Sequence, residues 1–333
     1  MKIQVKEAEK SFCLNLPTSL IFSRFVLRLA MKHSSIDGLT AEAAEEKLYI
    51  FSGILFHNQE FEEGNREELT YDFSCPEYAE LREKYDLQGI AGKGTDFQRA
   101  KRLMHAFAPR LIHCSGYDNH VEQNALRLLE YSLDNPEQGI NCLNKSKILQ
   151  ELCLALGIYA RRASIMPYSP YDFDNHVVTE IFDRKLRKWI MLDMTTDGWF
   201  VDENDTPLSL LEARERFAKD RFVTIACYTD KRKDLPKLRQ KNMELNAYYA
   251  KNLFYFEIDQ ENRFGIPENR LTFLPPHFSK RNSAVSNGQF RLNHLPPEYA
   301  HLRPLFEERL ETAENAQEPV GTAIEMMGKS PLE

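Results

Sequence analysis

Apolar residues recur at helical spacing through much of the chain and give way, past its middle, to two short runs that are apolar almost throughout. Thr40 is a capping residue ahead of an Ala/Glu-rich stretch that predicts a helix to about His57. Thr95 with Gln98 forms a capping-box signature before Ala100, Leu103, Met104 and Phe107. Residues 124–133 predict a further helix, which Asn135-Pro136 ends. Ile148, Leu149, Leu152, Cys153 and Leu156 then lie on one helical stripe. Asn141 is the N-cap residue of that helix and Gly157 its C-terminal stop. Ser209 with Glu212 repeats the capping box for a helix over 210–219, and 297–312 reads as helical.

The two apolar runs are 176–182 (HVVTEIF) and 189–193 (WIMLD), β-branched and aromatic strands separated by the polar turn 183–188. Residues 252–258 (NLFYFEI) read as another strand. The stretch Leu274-Pro275-Pro276 and the Ser/Asn-rich segment after it read as loop. Upstream, 1–16 reads as a short strand pair. Residues 20–31 (LIFSRFVLRLAM) read as an amphipathic helix carrying Arg24 and Arg28, expected to pack on the body. Residues 60–68 are an acidic linker. Beyond Ala313 the chain is polar and aperiodic, so the tail 313–333 is expected to be disordered. The expected organisation is an N-terminal extension (1–90), a core (95–220), a C-terminal extension (221–312) and that tail.

Composition narrows the function. A chain of 333 residues can bury a full core. Its net charge of −7, with mixed signs, argues against a nucleic-acid partner. No stretch reaches the ~20 apolar residues of a membrane span, and the first residues, MKIQVKEAEKSF, lack the apolar core of a secretory signal. The six cysteines include no CxxC pair, so neither a zinc site nor a disulfide framework is suggested. The acidic run Asp202-Glu203-Asn204-Asp205 lacks the ligand spacing and turn glycine of a calcium loop and reads as a solvated turn. No metal or cofactor is expected, and a cytoplasmic location is, since reduced cytosol suits a free thiol.

The candidate chemistry sits on the middle elements. Cys142 falls in the first turn of its helix, where unpaired N–H groups and the helix dipole favour a thiolate. Cys153, mid-helix on the apolar stripe, reads as a small buried hydrophobe. If the two apolar strands pair about their polar turn, His176 at the start of the first lies opposite residues 193–195. Asp193 is then a direct or adjacent cross-strand neighbour. Cys142, His176 and Asp193 are thus the candidate catalytic residues: a nucleophile, a base and an orienting carboxylate. Of Arg161 and Arg162, on alternate faces of the strand after the helix, one could meet a substrate carboxylate; the sequence does not say which. The adjacent His113 and Cys114 read as structural.

The run from the Cys142 helix through Leu156-Gly157-Ile158 and Ala160-Arg161, then His176-Val177-Val178, then Lys188-Trp189 and Asp193, resembles the transglutaminase-like branch of the papain-like superfamily over residues 95–220. The chain departs from that pattern in two places: Gly139 lies three residues before the cysteine rather than two, and Met194 follows the aspartate where proline is frequent. The resemblance implies an α+β fold in which the cysteine helix packs on an antiparallel β-sheet bearing the histidine and aspartate. It also implies acyl transfer from a peptide, amide or thioester substrate through an acyl-enzyme. Hydrolysis ranks first, because water is always available. Transfer to an amine acceptor, as in a transamidase or an amide-forming acyltransferase, ranks second, and a non-catalytic binding module third. The aromatic loop 168–175, directly before His176, is the one segment placed to exclude water.

Overall fold

The computed structural model describes residues 40–172, 174–227 and 235–333. The expected strand pair at 1–16 and helix at 20–31 lie outside them. In chain order the elements are α1 (Ala41–His57), β1 (Thr70–Tyr71), α2 (Glu77–Lys84), α3 (Leu87–Ala91), α4 (Asp96–Phe107), α5 (Ala125–Asp134) and α6 (Cys142–Ala155). Next come β2 (Ala160–Met166), β3 (His176–Asp183), β4 (Lys188–Asp193), β5 (Gly198–Val201), α7 (Leu210–Ala218), β6 (Thr224–Cys227) and α8 (Leu235–Asn252). The chain closes through β7 (Tyr255–Asp259), β8 (Glu261–Asn262), β9 (Arg270–Phe273), α9 (Lys280–Asn293), α10 (Arg303–Asn315) and α11 (Ile324–Gly328).

The fold is α+β, built on a seven-stranded sheet in the order β6-β5-β4-β3-β2-β7-β9, with every neighbouring pair antiparallel. Both faces are covered, which explains why β3 is buried at every position instead of alternating. One face presents Ala160, Ile181, Ile190 and Leu192 to a core that includes Ile148, Leu149 and Leu152 of α6. The other presents Ala163, Val178, Met191 and Phe256 to Leu48 and Leu55 of α1, Phe217 of α7 and Ala247 and Tyr249 of α8. Each polar residue within β3 has an internal partner, as burial demands. Thr179 donates to the Ser146 carbonyl of α6 (3.0 Å), and the Asp183 carboxylate accepts from the backbone N–H of Phe97, Lys185 and Leu186 (2.9 Å each). The β3–β4 hairpin pairs Thr179 with Leu192 and Asp183 with Lys188.

Both capping boxes form, at Thr95/Gln98 and at Ser209/Glu212. Three expectations change. The strand expected from 252 starts at Tyr255, because α8 runs on to Asn252. The Ser/Asn-rich segment expected as loop is α9, capped by Ser279, which accepts from Asn282 N–H at 3.0 Å. Its weak intrinsic propensity is overridden by packing on α10, where Gly288 comes so close that a Cβ there would lie 3.1 Å from Leu310 Cδ1.

The tail 313–333 is the third correction: it is ordered against the body. Thr322 N–H donates to the Thr272 carbonyl of β9 (2.7 Å), Met327 is fully buried, and the Lys329 carbonyl accepts from Trp189 Nε1 (2.9 Å). Backbone groups make most of these contacts, so the polar sequence gives no sign of them. Among the described residues, no helix is long and apolar enough to cross a membrane.

Candidate active site

The site is assembled where the N-terminus of α6 meets the first residue of β3. Asn141 caps α6, its side chain accepting from Asn144 N–H at 3.2 Å. Asn119 Oδ1 accepts from both Asn141 Nδ2 (3.1 Å) and Asn144 Nδ2 (2.7 Å), tying the first helical turn to the preceding loop. Just before the cap, Ile140 is bonded to the 112–114 segment through Ile140 N–H to Ile112 O (3.1 Å) and Cys114 N–H to Ile140 O (3.0 Å). Gly139 permits that approach, since a Cβ there would lie 2.7 Å from Cys114 Cβ and 3.0 Å from Ile112 O. Cys142, half-buried, is the first residue of α6, and helix geometry leaves its N–H without an intrahelical acceptor.

His176 opens β3 and is buried. Its Nε2 lies 2.8 Å from Asp193 Oδ2, at the end of β4, so Nδ1 is the ring nitrogen left for the thiol. The aspartate is held from two further sides. Tyr249 of α8 donates its hydroxyl to Oδ2 at 2.5 Å, and Thr195 N–H donates to Oδ1 at 2.7 Å. Tyr248 and Tyr249 pack edge-on against the imidazole, with ring centroids 5.5 and 6.0 Å away.

Burial opposes charge on both members of the pair, and mutual attraction reverses it. His176 is held well above the usual imidazole value, because the charge and hydrogen bond of Asp193, then Cys142, outweigh desolvation. Asp193 is held well below the usual carboxylate range. Desolvation is again the largest influence, but His176, the Tyr249 hydroxyl and the Thr195 N–H together exceed it. Both shifts favour the imidazolium–carboxylate form of the pair.

Sequence reasoning did not find Lys145, Tyr249 or the cleft position of His113. Lys145 follows Cys142 by three residues and is 2% exposed; its backbone N–H donates to the Asn141 carbonyl (3.0 Å), while its ammonium makes no ion pair or hydrogen bond among the described residues. Burial lowers its ammonium to about 8, while Asp193 and Cys142 pull the other way. In sequence it sits in the polar run NKSK, which reads as a solvated helix face. His113, expected to be structural, lines the same cleft as Cys142, with Nε2 3.0 Å from Ser115 Oγ. Desolvation against the cleft wall, then the positive Lys145 and His176, lower it from the usual imidazole value. Tyr249 carries no local signal.

The cleft encloses about 750 Å³ and is lined by Cys142, His176, His113, Tyr248, Arg162 and Asn175, among others. The two arginines of β2 separate clearly. Arg161 is bound to Glu180 (Nε 3.0 Å, Nη2 2.6 Å) and to the Met327 carbonyl (2.7 Å), with its guanidinium 3.8 Å over the Trp189 ring. Arg162 takes the cleft side and is paired with Asp259 (Nη2–Oδ2 2.8 Å). Asp202 serves its own turn, accepting from the N–H groups of Asn204 (2.9 Å) and Thr206 (2.8 Å). Among the described residues no group of three His, Cys, Asp or Glu side chains is placed to hold a metal ion.

A thiol at a helix start, beside an imidazolium clasped by a carboxylate, can attack an electrophilic carbonyl and return a proton to the leaving group. No protein-family model, curated protein or solved structure matches the chain.

Proposed function

We propose that the chain is a cysteine-nucleophile acyl-transfer enzyme of the transglutaminase-like, papain-like kind, using Cys142, His176 and Asp193. The observation that carries this reading is the 2.8 Å contact of His176 Nε2 with Asp193, at a residue that shares one cleft with the helix-capping Cys142. Cys142 Sγ attacks the carbonyl carbon of an amide or thioester. The tetrahedral oxyanion is met by the Cys142 backbone N–H. As it collapses, His176 gives its proton to the departing amine or thiolate, leaving an acyl-thioester on Cys142. A water molecule, deprotonated by the now neutral imidazole, adds to that acyl carbon and releases the acid, returning thiol and imidazole to their starting forms. Asp193 holds the imidazole's orientation and offsets its positive charge throughout.

Hydrolysis is favoured over transfer to an amine by the course of the loop before His176. Tyr168 packs on Phe254 and Phe278, and Tyr171 on Phe290, with neither among the residues that line the cleft. The ring of Tyr171 is turned toward α9 and that of Tyr168 toward Phe254 and Phe278, so neither tyrosine covers the cleft.

The test is intact-mass analysis of the protein mixed with peptide, amide and thioester donors, with and without millimolar amine. The expected result is a transient acyl adduct on Cys142, absent in Cys142→Ala, and release of free acid. Amine conjugates as the main product would move the assignment to acyltransferase. Failure of every donor to modify Cys142 would end the enzymatic reading.

A further inference from the structure

Beyond Cys142 and His176, the wall of the cleft carries Arg162 of β2, Arg270 of β9 and Lys280 of α9. All three converge on two buried carboxylates of the intervening strand β7. Arg162 meets Asp259 Oδ2 through Nε (2.9 Å) and Nη2 (2.8 Å), and Arg270 donates to Asp259 Oδ1 through Nε and Nη2 (3.3 Å each). Glu257 takes Arg270 Nη1 on Oε2 (3.2 Å) and Lys280 Nζ on Oε1 (2.5 Å). All four carboxylate oxygens are therefore engaged, and the cluster keeps one positive charge in excess.

What the cluster lacks is an acceptor. Arg162 is 4% exposed, and its Nη1 is buried with no hydrogen-bond partner among the described residues. A buried donor left in that state costs free energy that an incoming acceptor recovers. Desolvation pulls the guanidinium below its usual value; Asp259 opposes that pull and Arg270 adds to it. The other carboxylates of the cleft wall do not supply the acceptor. Asp174 is taken by Lys251 (3.5 Å), and Glu268 stands on the exposed rim, paired with none of the three cations.

We propose that this cluster is the subsite for the terminal carboxylate of a peptide substrate, held by Arg162 and Lys280 while the reactive carbonyl lies at Cys142. The proposal rests on the acyl-transfer reading for the bond that is cleaved; the carboxylate site stands on the cluster alone. The sheet register supplies the ruler. His176 is paired with Ile165 of β2, and Arg162 lies three residues from Ile165, so roughly 10 Å along the strand. An extended peptide covers that distance in about three residues. The cleaved bond is then the second or third from the carboxylate end, and the enzyme trims peptides from that end. Cys142 Sγ bonds the carbonyl carbon, the C–N bond breaks, and the His176 proton goes to the departing amine, which leaves as a di- or tripeptide. Water then frees the shortened peptide from Cys142.

The test uses a pool of N-acetylated hexapeptides of mixed sequence, made once with free C-terminal carboxylates and once as carboxamides, with products read by mass spectrometry. At subsaturating peptide, the free acids are expected to lose a di- or tripeptide about tenfold faster than the amides, which lack the charge-assisted contact. In the Arg162→Gln protein the ratio should fall to about one. Equal rates for acids and amides would overturn the proposal. So would cleavage at no fixed distance from the carboxylate, or a preference that survives the substitution.

Should Arg162→Gln fail to fold, Lys280→Gln takes its place, because that half-buried side chain lies outside the buried pair and removes the charge in excess. An unchanged ratio there overturns the proposal as well. If neither pool is cleaved, the acyl-transfer reading fails by itself. Calorimetric titration of the unmodified protein with trialanine and with trialanine amide then decides the subsite. Binding of the acid alone, lost in Lys280→Gln, supports it. Equal binding of acid and amide, binding of the acid that survives Lys280→Gln, or no binding of the acid at millimolar peptide overturns it.

Discussion

Two of the buried charges on strand β3 differ in what is left open. At Glu180 the carboxylate is fully buried, receives two hydrogen bonds from Arg161 and one from Leu210 N–H (2.9 Å), and the guanidinium goes on to the Met327 carbonyl and the Trp189 ring. Four residues earlier, His176 is clasped as tightly to Asp193, but one ring nitrogen remains for Cys142, and the residues around it face a cleft. The first network faces inward and holds shape. The second is closed on the side of Asp193 and open toward solvent, which is what a reacting group requires. The same contrast recurs on α6. Lys147 is bound to Gln150, Glu151 and the Arg263 carbonyl, whereas Lys145, two residues away and equally buried, is bound to none of them.

The contrast is broken most directly by His176→Ala. Acylation of Cys142 by a thioester should slow by about 10³-fold or more, as expected for loss of a proton-transferring group acting in one unit with the nucleophile. Rapid-quench mass spectrometry reads the rate, and a fall of less than tenfold would remove the imidazole from the chemistry. Glu180→Gln tests the other network. It leaves Arg161 buried without its counter-charge and should destabilise the fold by about 3–5 kcal/mol in urea titration, with acylation in the folded protein little changed. Loss of acylation in step with stability would merge the two regions into one.

Lys145→Met probes the open network from its destabilising side and has the smallest effect. Lys145 sits near 8 in the fold, against about 10.4 in an unfolded chain. Between those values the unfolded state binds the extra proton, so the stability of the native sequence rises with pH there and is penalised below. The methionine variant should therefore be more stable at pH 7, by about 2–3 kcal/mol, with the advantage shrinking as pH climbs from 8 toward 10. Thermal unfolding across that range measures it. A pH-independent difference would point to packing instead of charge.

The opposite slope belongs to His176, while Asp193 shares the sign of Lys145 at much lower pH. His176, raised, contributes stability that is full below about pH 6.5 and is lost as pH rises through its folded value. Asp193, lowered, contributes above about pH 4 and fails only in stronger acid.

Much of the central architecture was legible because it is local. The hairpin register follows from two apolar runs about a polar turn, and the helix starts follow from Thr95/Gln98, Ser209/Glu212 and Asn141, whose side chains and backbone meet within three residues. What escaped was set at long range. Helix α9 is poor in helix formers and is held by α10; the tail is held by carbonyls; and Tyr249 meets Asp193 across 56 residues of chain. Lys145 was hidden differently. Helix α6 is buried nearly all round from Asn144 onward, so its polar residues point into the protein where a simple amphipathic reading sends them to water.

The carbonyl that closes on Arg161 belongs to a residue 166 positions later, and the one that receives Trp189 lies 140 positions later. On a ribosome adding about 5–20 residues per second, Arg161 is added roughly 8–33 s before Met327. Arg161 and Trp189 are therefore both made well before the segment that covers them. The sheet reaches its final state only once translation has passed Lys329, so assembly of this fold is timed by its farthest downstream contact, not by the order in which the strands are made.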